Sequence, residues 1–132
     1  MSRSVQRLEI RAIRASDFEE LEKLSKHWGF PVPDVESKLY FARGVVVSGD
    51  KIVGFGLARV TSEFILLLNP DESKRLRVQA LEMLTRVGVR SAVKVGIDEA
   101  HAFVSDSVFA DILKKKFGFV DCEGIPLYLQ LE

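Results

Sequence analysis

The feature that most constrains this chain is the uninterrupted apolar run Phe64-Ile-Leu-Leu-Leu68, set between Glu63 and Asn69-Pro70. Five apolar residues with no alternation suit a central strand covered on both faces, and Pro70 stops it. From Glu72 to about Val95 the period changes to that of a helix, with Leu76, Ala80, Met83/Leu84 and Val87 three or four residues apart. Gly88 falls inside that helix at a cost of about 1 kcal/mol relative to alanine, and Gly96 suits its C-terminal cap. Ala100–Val104 then reads as another short strand. A strand–helix–strand unit of this kind predicts a right-handed crossover and a partly parallel sheet flanked by helices.

The flanking segments add strands and helices around that unit. Leu8, Ile10 and Ala12 alternate with Glu9, Arg11 and Ile13, which predicts a first strand. Ser16-Asp-Phe-Glu19 has the spacing of a capping box ahead of a helix striped by Phe18, Leu21, Leu24 and Trp28. Gly29, Pro31 and Pro33 end it, and a second short helix is expected around Asp34–Phe41. Gly44–Ser48 and Lys51–Val60 predict a hairpin whose Gly49-Asp50 turn supplies a positive-φ residue. Val108, Phe109, Ile112, Leu113 and Phe117 stripe a last helix closed by Gly118, and Phe119–Cys122 and Leu127–Leu131 read as a terminal pair of strands. The expected order is β-α-α-β-β-β-α-β-α-β-β within a single domain, residues 1–132.

Composition narrows the function classes. The formal net charge is zero, so no overall field draws the protein to nucleic acid or to an anionic membrane, and neither partner is expected. The single cysteine, Cys122, makes no intrachain disulfide, and no Cys/His grouping has metal-ligand spacing. With 47% hydrophobic residues, no signal-type leader and no apolar run near the ~20 residues of a membrane span, the expectation is a soluble cytoplasmic protein without a metal.

The order of elements resembles the GNAT superfamily of acyl-CoA-dependent N-acyltransferases. Gly49-Asp-Lys-Ile-Val-Gly-Phe-Gly-Leu-Ala58 is similar to the second hairpin of that fold. Ser107-x-x-Ala110-x-x-Leu113-Lys114-x-x-x-Gly118-Phe119 resembles the family's Asn-x-x-Ala-x-x-Leu-Tyr-x-x-x-Gly-Phe signature. The resemblance spans residues 8 to 131. It implies an α/β (α+β) fold with a mixed central sheet of six or seven strands flanked by about four helices. It also implies transfer of an acetyl or acyl group from acyl-CoA to a small-molecule or peptide amine, by a monomer or a homodimer.

The sites implied by the resemblance can be placed on this sequence. The family's glycine-rich loop cradles the CoA pyrophosphate with backbone N–H groups at a helix N-terminus. Aligned on Pro70, this chain has Ser73-Lys-Arg-Leu-Arg-Val78, with no glycine. Lys74, Arg75 and Arg77 either take over phosphate contact through their side chains, with Ser73 and Val78 beside them, or are solvated residues of a helix that starts a turn early. Ser107 stands where the signature has asparagine. Lys114 stands where the family has the tyrosine that protonates the departing thiolate, a role that a lysine fills only with a depressed pKa. Glu63, opening the apolar strand, resembles the glutamate that some members use as base, and backbone N–H groups near Leu67 and Leu68 would face the thioester oxygen.

Other residues read more simply. His101 and Asp106 suggest a relay or a structural strand histidine; His27 suits a helix C-terminus; Arg86, Arg90 and Lys94 line one helical face. Trp28, Phe30, Tyr40 and Phe41 form an acceptor wall or part of the core. The missing loop glycines and missing tyrosine also raise a second expectation, a catalytically inactive binding or assembly protein. The chain also resembles short GNAT-like chains carried by tailed bacteriophages, some packaged as virion components, which implies a phage-type virion or accessory protein as a form of that alternative.

Overall fold

The computed structural model describes residues 7–131. They fall into two compact units: residues up to Val60 together with those from Cys122 onward, and Thr61–Asp121.

In the first unit, β1 (Leu8–Ala12), α1 (Phe18–Trp28), β2 (Tyr40–Ser48) and β3 (Lys51–Arg59) follow in order, with a 3₁₀ turn at Ala15–Asp17 ahead of α1. The sheet order is β1-β2-β3, antiparallel throughout, with Val45 opposite Arg11 and Phe55. Val45 and Val47 are buried on one face of this sheet, and Leu21 of α1 and Val35 are buried as well. Gly49 turns the β2–β3 hairpin at φ 62°, as the Gly-Asp pair predicts. The opposite face of the sheet presents Ile10, Ala12, Ala42, Gly44, Val46, Gly54 and Gly56 along a shallow apolar depression.

Entry into α1 differs from the expected capping box. Asp17, not Ser16, organises the turn. Its carboxylate accepts the Arg14 N–H at 2.8 Å and both terminal nitrogens of Arg11 at 2.7 and 2.9 Å. These charge-assisted bonds hold the Asp17 carboxyl down at about 2, the Arg11 pair contributing most and the Arg14 N–H next. On α1, Leu21 and Ser25 are buried, the serine hydroxyl donating to the Leu21 carbonyl at 2.8 Å, whereas Trp28 is largely exposed.

Two predicted elements of this unit do not form. Asp34–Leu39 is a succession of turns: Asp34 Oδ1 accepts the Glu36 N–H and Ser37 Oγ accepts the Leu39 N–H, taking donors that a helix would need. Leu127–Leu131 joins no sheet. Its alternation is strand-like, but Leu127, Tyr128 and Leu129 are all exposed and no neighbouring strand takes up their backbone groups.

The second unit holds β4 (Ser62–Ile65), α2 (Lys74–Lys94), β5 (Ala100–Phe103) and α3 (Ser107–Phe117). β4 and β5 are parallel, in register from Ser62↔Ala100 to Ile65↔Phe103. The predicted strand–helix–strand unit is therefore present, but as a two-stranded sheet with one face open. Phe64 is buried, while Ile65 and Leu67 are exposed. Leu81, Phe109 and Leu113 form the core, with Leu66, Leu68, Val78, Ala102, Val104 and Phe119 packed around them.

α2 turns a different side inward from the one its apolar spacing suggests. Leu81 and Thr85 are buried, one turn apart, with Gly88 beneath the ring of Phe64. The Thr85 hydroxyl donates to the Leu81 carbonyl at 2.7 Å and so enters the interior satisfied. Leu76, Met83, Leu84 and Val87 remain exposed. Glu82 anchors α2 to α3 by an ion pair with Lys116 and lies 3.8 Å from Arg86; the Lys116 hydrogen bond foremost holds its carboxyl below the usual range. α3 closes at Gly118 (φ 78°), whose N–H bonds the Leu113 carbonyl in a left-handed cap. Phe119–Cys122 continues without strand pairing.

The fold expectation is thus corrected. Among the described residues there are five strands in two small sheets, of three and two strands, with three α-helices. The six- or seven-stranded mixed sheet does not form. Both terminal strands lack partners, and of the apolar run Phe64–Leu68 only Phe64 and Ile65 lie in β4, which pairs on one side only, with β5. No helix among the described residues is long and apolar enough to cross a membrane.

Candidate functional site

In open sheets with parallel strands, ligands bind beyond the carboxyl ends of the strands. The second unit follows that geometry. The β4–β5 ladder stops at Ile65↔Phe103, and the residues that continue each strand, Leu66, Leu68, Val104 and Ser105, line a cavity of about 200 Å³. Pro70, Arg77 and Leu81 close it from the α2 side, and Asp106 and Phe109 from the α3 side.

Ser73 is the N-cap of α2, its hydroxyl accepting the Leu76 N–H at 3.2 Å. The helix therefore begins at Lys74, and the N–H groups of its first turn point out of its N-terminus. Lys74 and Arg75 are exposed on that turn. Arg77 is different. Its guanidinium lies over the Phe109 ring, 5.7 Å from the centroid, and its Nε is buried with no hydrogen-bond partner. A buried donor without an acceptor, at the wall of a cavity, is the polar feature that most clearly invites a ligand. Val78 packs on the Leu81–Phe109–Leu113 core, so it belongs to the interior rather than to a phosphate cradle.

The remaining expected site residues divide. Leu68 lines the cavity, whereas Leu67, beyond the end of β4, is exposed. Ser107 opens α3, but the capping group is Asp106, whose Oδ1 accepts the Val108 N–H at 2.8 Å. Asp106 is thereby committed to the helix, and His101 has Thr61 Oγ1 at 3.1 Å from its Nδ1, so these two residues have separate partners rather than forming a relay. Lys114 pairs with Asp121 Oδ1 at 2.9 Å, and that hydrogen bond raises its pKa above the ordinary lysine value. This is opposite to the depression that an acid at that position requires. Glu63 is exposed near the start of β4, across from Phe64, with His101 as its register partner.

Sequence reasoning did not single out Ser105, Leu81 or Phe109 as site residues. Phe109 stripes the last helix and sits in its core; its second role as the platform under Arg77 depends on the α2–α3 packing. Among the described residues no grouping of His, Cys, Asp and Glu is arranged to hold a metal ion. No protein-family model matches the chain, and no curated protein sequence matches it significantly.

Proposed function

We propose that the chain is an N-acyltransferase that takes its acyl group from an acyl-CoA held at the carboxyl ends of β4 and β5. The observation that carries this reading is the buried, unpartnered Nε of Arg77 at the cavity wall. A planar guanidinium pinned on an aromatic ring suits phosphate or carbonyl oxygen, and the first turn of α2 supports negative charge beside it. The cavity of about 200 Å³ is too small for a nucleotide but suits a narrow chain such as the pantetheine arm, with the phosphates outside near Lys74 and Arg75. The similarity of Ser107–Phe119 to the GNAT signature points the same way.

An acyl-CoA supplies a thioester carbonyl and a thiolate leaving group. In this reading a narrow chain entering beside Leu66 and Leu68 passes the strand ends, where pairing has stopped at Ile65↔Phe103, to reach the face that carries Glu63. Glu63 takes the proton lost by the acceptor ammonium; the nitrogen–carbon bond forms, the carbon–sulfur bond breaks, and solvent returns a proton to the thiolate. Calorimetric titration with CoA tests the reading. Saturable binding that weakens about tenfold or more in Arg77→Met supports it, in line with loss of a charge-assisted hydrogen bond. No heat at millimolar CoA overturns it.

One observation favours a second reading, ligand binding without turnover: the pairing of Lys114 with Asp121, which leaves the signature's acid position occupied by a firmly protonated ammonium. CoA binding without CoA-dependent acylation of any amine distinguishes the two.

A further inference from the structure

α2 has two apolar sides. One meets the core through Val78 and Leu81 and lets Gly88 lie beneath Phe64. The other lies away from it. At about 100° per residue, Leu76, Ala80, Met83, Leu84 and Val87 fall within about one third of the helix circumference, on the side away from Leu81 and Thr85. Leu76 is 51% exposed, Met83 65%, Leu84 47% and Val87 61%. From Leu76 to Val87 this ridge runs roughly 16 Å. Single exposed apolar residues need no explanation, but a continuous row of them on one helix does.

Charge decides what can cover the ridge. α2 carries six cations against one carboxylate, Glu82, which Lys116 and Arg86 already engage. Arg75, Arg90 and Lys94 are exposed and form no ion pair with a described residue. Arg90 and Lys94 continue the ridge past Val87, and Arg75 stands beside its start. The formal net charge of zero conceals this local excess. A second copy offers the same ridge with the same cations, so a twofold pairing sets like charges against like. A protein that receives a helix does so in a groove, whereas α2 is held by its inner side and presents only a convex ridge. A bilayer needs no groove. Its acyl chains close around an apolar ridge, and its headgroup phosphates take the flanking cations, which the long stems of arginine and lysine reach from the apolar level.

We infer that the outer side of α2 docks on a membrane surface rich in anionic phospholipid. Leu76, Met83, Leu84 and Val87 enter the headgroup layer, and Arg75, Arg90 and Lys94 meet its phosphates. The helix lies along the surface and does not cross it. This binding goes beyond the acyl transfer proposed above and does not depend on it.

Co-sedimentation of the full chain with lipid vesicles, in the absence of CoA, tests the inference. The probes are vesicles of phosphatidylcholine alone and of phosphatidylcholine mixed equally with phosphatidylglycerol. Binding to the mixed vesicles is expected to be about tenfold or more stronger than to phosphatidylcholine, and to weaken about tenfold or more between about 0.05 and about 0.5 M salt. Arg90→Glu with Lys94→Glu abolishes it, whereas Lys23→Glu with Lys51→Glu, the same change in net charge on exposed residues of the first unit, leaves it unchanged. Met83→Ser with Val87→Ser weakens it about tenfold while thermal unfolding stays the same, because both side chains are exposed. Absence of binding to the mixed vesicles at low salt, which leaves the ridge to a protein partner, overturns the inference. So does equal loss in the two charge-reversed pairs, or binding that the Met83 and Val87 changes do not move. Self-association in analytical ultracentrifugation that those two changes abolish assigns the ridge to a second copy and overturns it as well.

Discussion

The ring of Phe64 lies directly on the backbone of Gly88, so closely that a Cβ at position 88 would come within 2.9 Å of Cε2 and Cζ. α2 approaches β4 to this distance only because residue 88 has no side chain. Helix propensity alone favours alanine there by about 1 kcal/mol. Forced overpacking at a rigid aromatic ring costs about 1–3 kcal/mol and has the larger effect. Gly88→Ala is therefore expected to lower stability by about 1 kcal/mol, seen as a lower urea midpoint with unchanged slope. Combining it with Phe64→Leu restores part of the loss, because the flexible side chain yields where the ring does not.

Asp17 makes stability depend on pH at the acid end. Its folded pKa, about 2, lies below the value of 3.8 for an unperturbed aspartate. Its contribution is therefore complete above about pH 4 and disappears as the pH falls through about 2. Asp17→Asn is expected to be less stable at pH 7 and to lose the dependence over that window. Unfolding followed by circular dichroism between pH 2 and 6 compares the two proteins.

Lys114 is expected to be dispensable for chemistry. A general acid contributes about 10²–10⁴-fold, so Lys114→Gln would abolish most turnover if the ammonium protonated the leaving thiolate. With Asp121 holding its proton, the variant is expected to keep the wild-type rate. Its stabilising pair is present below the unfolded lysine pKa and lost as pH rises through the raised folded value. Acyl transfer to an amine, measured by thiol release, checks the rate.

Gly118 closes α3 at φ 78°, a conformation that a Cβ opposes. Gly118→Ala is expected to cost about 1–2 kcal/mol, the left-handed penalty, with CoA binding unchanged because the residue stands away from the cavity wall. Denaturant titration and calorimetry report the two quantities independently.

Much of the second unit was legible in sequence. The run Phe64–Leu68, the long helical period and the strand at Ala100 gave the β4-α2-β5 order, and the Leu113–Phe119 string gave the end of α3. The inward side of α2 was not. Thr85 counts as polar by type, yet its hydroxyl is satisfied by its own helix, and Gly88 looks like a defect until Phe64 is set against it. Leu127–Leu131 misled for a different reason: alternation reports the habit of a strand but not the presence of a neighbour to pair with. At the candidate site, the basic residues Lys74, Arg75 and Arg77 were visible as a group. Only packing on Phe109 separates Arg77 from the other two.

The Glu99 carbonyl receives three donors from Thr61 and Ser62, all at the end where β4 and β5 begin. The ladder is thus tied at its start by these bonds and carries no pairing past Ile65 and Phe103. A change at the tied end is expected to reach the far ends through the strands, without removing any group that lines the cavity. Ser62→Ala is thus a distant control on how wide the strand ends stand, and its effect belongs to ligand size rather than ligand charge.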